Sequence, residues 1–183
     1  MDPIAELEAE HRAVLQSLEI LEGRVQDAGG GEGFAVFIPE AKRLLEFFEV
    51  FVDACHHGKE ESYLFPALEA AGVSREGGPI GVMLEEHKEG RRLVASMREA
   101  LDRTSGGGAE ERSRFLAASR QYALLLRRHI EKEENVLFRV ATERLDEAVK
   151  EQLVHGFERI EAEKVGPGRH EAFHRLLDEL SRK

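Results

Sequence analysis

A chain of 183 residues with 36 acidic and 26 basic side chains, net charge −10, lacks the basic face that a nucleic-acid binder presents. Its length gives a single core enough surface to bury without a covalent staple. The one cysteine, Cys55, excludes an intrachain disulfide framework, no run approaches the ~18 apolar residues that span a bilayer, and the opening MDPIAELEAEHRAV has no basic segment leading into an apolar one. These features predict a cytoplasmic protein that partners neither nucleic acid nor membrane, and they leave the oligomeric state open.

Glycine punctuates the chain, because it accepts turn geometry and weakens helix interiors. Asp2-Pro3 reads as an N-cap followed by proline at the first helical position, opening a helix over 3–27. Gly29, Gly30, Gly31 and Gly33 then form a link, and a second helix over 36–71 carries Pro39 near its start. Gly72, Gly77, Gly78 and Gly81 surround Pro79, which opens a third helix over 79–104. Gly106, Gly107 and Gly108 lead to a fourth over 109–144, and shorter helices follow over 146–164 and 169–181. The segments between are rich in good helix formers, and none alternates like a strand. The prediction is an all-α fold: an up-down antiparallel four-helix bundle over residues 1–145, with two additional C-terminal helices over 146–183 packed on it.

Core positions on a bundle helix recur every three and four residues. On that spacing His11 lies between Leu7 and Val14, and His87 between Met83 and Val94. His56 follows Val52 with Glu60 one turn later, and His129 follows Leu126 with Glu133 one turn later. Each long helix thus aims a titratable group inward, and no lysine or arginine shares the stripes of Glu60 and Glu133. Buried alone, those carboxylates would cost several kcal/mol each, and their pKa values would rise. A metal resolves the conflict by supplying charge and taking neutral imidazole together with carboxylate. Four imidazoles and two carboxylates exceed one tetrahedral zinc. They suit two ions, each with two histidines, bridged by Glu60 and Glu133. Two ferric ions with an oxo or hydroxo bridge leave a modest residual charge. Nitrogen and oxygen donors favour iron, with manganese or zinc behind it.

HHGKEESYLFPALE (56–69) and HIEKEENVLF (129–138) share the pattern H-x-x-x-E-E-x-x-L-F. With EEHKEGR around His87 and EHRAVL around His11, the chain resembles the hemerythrin-like, HHE-type cation-binding family over roughly residues 4–142. The resemblance implies a four-helix bundle holding two non-haem iron ions. It carries the ligand pattern onto His11, His56, Glu60, His87, His129 and Glu133. Aligning Leu64-Phe65 with Leu137-Phe138 selects His56 and Glu60 over their neighbours His57 and Glu61. The oxygen-carrying members place a second histidine four residues after the third-helix ligand, where this chain has Arg91, and a more distant aspartate on the fourth helix. A more symmetric site, one imidazole poorer, is therefore expected, with water, a tyrosine oxygen or a carboxylate in the gap. Tyr63 and Tyr122 lie on stripes that approach it, and Glu158, Glu161, His170 and His174 of the tail could cap the bundle and add a ligand. The implied function is a non-haem di-iron protein that meets oxygen, nitric oxide or peroxide. The alternatives are a di-iron oxidoreductase handling peroxide or nitric oxide, and a metal- or oxygen-sensing interaction module. No residue is assigned a catalytic role.

Overall fold

The computed structural model describes residues 2–103 and 108–182. Helix α1, Pro3–Ala28, begins where the sequence predicts, since the Asp2 carboxylate accepts from the Ile4 N–H at 3.1 Å. Helix α2 runs over 31–70, starting at Gly31 rather than at residue 36. The chain turns so tightly there that a Cβ at Gly33 would collide with the Ala28 carbonyl. Pro39 consequently lies inside Gly31–Glu46, where its missing N–H leaves one helical hydrogen bond unmade. From Phe47 the same helix passes through π-helical stretches, Phe47–His57 and Glu60–Leu64, into Phe65–Ala70.

Helix α3 is Pro79–Arg103; Thr104, Gly106 and Gly107 of the predicted helix end and turn lie outside the described residues. Helix α4 covers 109–144 and contains a π-helical turn, Glu133–Leu137. Helix α5 covers 147–165, capped by Asp146 at the Val149 N–H (2.9 Å) and closed by the π-helical turn Glu161–Val165. Helix α6 is Arg169–Ser181. The fold is all-α, with no strand among the described residues.

Among the described residues, two apolar clusters form the core. The larger contains Val14, Leu18, Phe48, Val52, Leu93, Met97, Tyr122 and Leu126; the smaller contains Leu7, Leu64, Phe65, Met83, Leu137 and Phe138. Along each long helix the chain passes from one cluster to the other through a buried polar layer: His11 on α1, His56 to Glu60 on α2, His87 on α3, His129 and Glu133 on α4. The last two helices join the same clusters, Ile160, Phe173 and Leu177 the larger, Leu153 and Phe157 the smaller. Where α5 crosses α2, a Cβ at Gly156 would run into the Tyr63 ring, so only glycine fits that crossing. Among the described residues, no helix is long and apolar enough to cross a membrane.

Candidate metal centre

The polar layer brings all six sequence-predicted ligands together. One group joins His11, His56, Glu60 and Glu133, with donor atoms within 4.8 Å of one another. A second, on the same criterion, joins His57, Glu60, His87 and His129. Glu60 belongs to both: its two oxygens lie 3.2 Å from His56 Nε2 and 3.4 Å from His87 Nε2. Glu133 Oε2 is likewise 3.5 Å from His11 Nε2 and 3.3 Å from His129 Nε2. His87 Nε2 and His129 Nε2 are 3.2 Å apart. All four carboxylate oxygens of Glu60 and Glu133, and His11 Nε2, are buried without a hydrogen-bond partner. Unsatisfied buried polar atoms are rare because each forfeits its hydration, so five converging on one layer fit a cation placed among them.

The opposite nitrogen of each imidazole is engaged. His56 Nδ1–H donates to Glu10 (2.8 Å), His87 to Glu61 (2.7 Å), His129 to Glu86 (3.0 Å) and His11 to Glu134 (2.9 Å). Each carboxylate thereby holds its ring with Nε2 turned toward the centre, the usual outer support of a metal-bound histidine. The pairs form a closed ring: α1 supports α2, α2 supports α3, α3 supports α4, and α4 supports α1. The four supporting carboxylates are chain neighbours of His11, Glu60, His87 and Glu133. That adjacency was visible in EH, EE, EH and EE, but the ring between helices was not.

The sequence repeat becomes a structural one. In each copy of E-E-x-x-L-F the first glutamate faces the centre, the second supports a histidine on the next helix, and the phenylalanine stacks on that same histidine. Phe65 lies on His87 (5.8 Å, 20°) and Phe138 on His11 (5.2 Å, 9°). Both copies place a π-helical turn from the first glutamate to the leucine, Glu60–Leu64 and Glu133–Leu137. The wider π turn delivers the carboxylate inward while keeping leucine and phenylalanine buried, and such bulges recur at functional sites.

Charges inside the layer correct one expectation. Burial and the neighbouring Glu133 push Glu60 up, yet His56 and His87 outweigh them and hold it below the usual carboxylate range. Burial likewise raises Glu133, and His129 and His11 overcome it, leaving that carboxyl well below its ordinary value. The expected rise is overturned because each carboxylate faces imidazoles rather than hydrocarbon. Conversely, burial lowers His56, but Glu60 and Glu10 lift it to about 10. Glu133 and Glu86 similarly lift His129 to about 9 against its burial. Burial and the adjacent His87 hold His57 well below its ordinary value.

Other candidates fall outside the layer. Tyr122 packs on Phe48 (4.8 Å), and Tyr63 faces Gly156. Glu161 and His170 approach Glu10 and Cys55 instead, in a separate cluster around Lys59. Lys59 Nζ is fully buried and donates to Glu10 (2.6 Å), Glu161 (2.6 Å) and Glu6 (2.7 Å). A cation therefore does lie beside Glu60, one position off its stripe, where the tail covers it. His174 lies against Phe51 (5.8 Å), and Glu158 is exposed. Burial pushes the Cys55 thiol up to about 12, so it stays protonated.

A helical bundle with a buried histidine–glutamate layer of this kind belongs to the class of cation-binding bundles. The model of the hemerythrin HHE cation binding domain family matches residues 2–141, and the chain belongs to that family. No curated protein and no solved structure matches it.

Proposed function

We propose that the chain binds two iron ions in this layer and presents them to a small diatomic or peroxide ligand in the cytoplasm. The carrying observation is the pair of donor groups that share Glu60, with the oxygens of Glu60 and Glu133 left unpartnered between them. On this reading His11 and His56 would hold one ion and His87 and His129 the other, with Glu60 and Glu133 shared between them. When bound, a di-iron pair supplies reversible ligand capture or electron transfer to the ligand.

The protein's own part is orientation and exclusion. The four outer carboxylates hold the imidazole rings. The apolar clusters above and below keep bulk water out. A cleft of about 150 Å³ lined by Phe48, Asp53, His57, Gly90, Arg91 and Tyr122 adjoins the layer at His57 and has room for a small ligand.

The test is elemental analysis and optical spectroscopy of protein from iron-replete cells, before and after reduction. About two irons per chain are expected. One zinc per chain and no iron, even after anaerobic ferrous loading, would overturn the proposal.

A further inference from the structure

The two halves of the bundle, α1 with α2 and α3 with α4, share the ring of imidazole–carboxylate supports but differ at the position after the histidine on α2 and α4. His56 is followed by His57, whereas His129 is followed by Ile130. Ile130 belongs to the larger apolar cluster, but His57, only 3% exposed, faces the polar layer. Its ring stacks on His87 at 3.8 Å and 17°, with the His129 ring 5.9 Å away. One of its nitrogens lies within 4.8 Å of donor atoms of Glu60, His87 and His129.

The surroundings of His57 repeat those of the four predicted ligands. Its Nδ1 is 3.4 Å from Asp53 Oδ1, one turn earlier on α2, so it too has a carboxylate on the nitrogen away from the group. Arg91 donates to Asp53 (2.7 Å) and to Glu61 (2.7 Å), and Glu61 supports His87. One guanidinium thus holds both carboxylates that orient the stacked pair.

We propose that His57 supplies a fifth imidazole, to the metal position formed by Glu60, His87 and His129, with Asp53 and Arg91 as positioning residues. The two positions are then unequal: two histidines serve one and three serve the other. This inference rests on the two-ion reading above.

The experiment loads wild-type protein, ¹⁵N-labelled at histidine, with Zn(II) as a diamagnetic probe and follows imidazole nitrogen resonances through the titration. Five side chains should move to metal-bound shifts, His57 among them. Movement of four, with His57 unchanged, overturns the inference while leaving the two-ion reading intact. Uptake of a single equivalent overturns the two-ion reading itself. In parallel, His57→Phe keeps a ring for the stack and His57→Gln keeps a polar group toward Asp53. Either should bind one Zn(II) equivalent as wild type does and the other at least about tenfold more weakly, since even loss of an outer-shell partner costs that much. Wild-type affinity for both equivalents in a folded variant overturns the proposal.

Discussion

Lys59 and Lys132 occupy the same place in the two halves of the bundle, three residues after the histidine in H-x-x-K-E-E. Each reaches the carboxylate that supports that histidine: Lys59 bonds Glu10, partner of His56, and Lys132 bonds Glu86, partner of His129. Their environments differ. Lys132 is 42% exposed, whereas α5 lies over Lys59 and adds Glu161 and the Phe157 ring, 5.5 Å from the ammonium. The local motif therefore specifies which groups pair, and the tail decides how much each pair matters. The Lys59 cluster carries its own cation, while the histidine–glutamate layer beside it still holds unpartnered oxygens.

The sharpest way to break this comparison is to remove a shared carboxylate. Glu60→Gln touches both donor groups and should leave fewer than one ion per chain by elemental analysis; undiminished metal would show that Glu60 bridges nothing. The metal-free variant should also melt below metal-free wild type, because the anion facing His56 and His87 is gone. That reverses what burial alone would predict for a neutral replacement.

Next in size, Lys59→Met should destabilise the metal-free protein by about 3–5 kcal/mol in urea melts, the cost of breaking a buried ion pair from one side. Lys132→Met should cost at most about 1 kcal/mol, as for an exposed pair. Equal losses would mean that the tail does not shield Lys59.

The halves should also be read through pH. Raised folded-state values, about 10 for His56 and about 9 for His129, give stability that is fully present below the unfolded histidine value of about 6.5. That stability is lost as pH rises toward 9 and 10. The lowered carboxyls of Glu60 and Glu133 add stability present above about 4.5 and lost under acid. Metal-free protein should therefore be most stable between about pH 4.5 and 6.5, and melts should show it weakening toward pH 9. Metal-loaded protein should respond in the opposite sense over the acid side of that range, because protons compete for its ligands. Parallel profiles would argue against shared ligands.

The smallest expected effect lies in the outer ring. Glu134→Gln, at the carboxylate supporting His11, should weaken metal binding about tenfold to a hundredfold in a chelator competition. An unchanged affinity would reduce the ring to a folding device.

Much of this was legible in the residues. The spacing of His11, His56 with Glu60, His87, and His129 with Glu133 put each on an inward stripe, and the structure gathers all six. The supporting carboxylates were overlooked because each lies beside a predicted ligand in sequence yet serves a histidine on another helix, and the relative rotation of two helices is not written in either. The motif alignment selects His56 over His57, and on an α-helix about 100° per residue would separate the two rings. The π-helical stretch Phe47–His57 winds more widely, so consecutive histidines both reach the layer. Lys59 lies off the stripe of Glu60, so the stripe does not reveal it, and one of its burying partners, Glu161, lies far along the chain.

The closed ring of imidazole–carboxylate pairs has no free end. Each helix both gives a carboxylate and receives one, so sliding any helix by one turn, about 5.4 Å, breaks two pairs at once and cannot be absorbed at a terminus. The ring works as a checksum on helix register: the four helices satisfy it together or not at all, before any ion arrives.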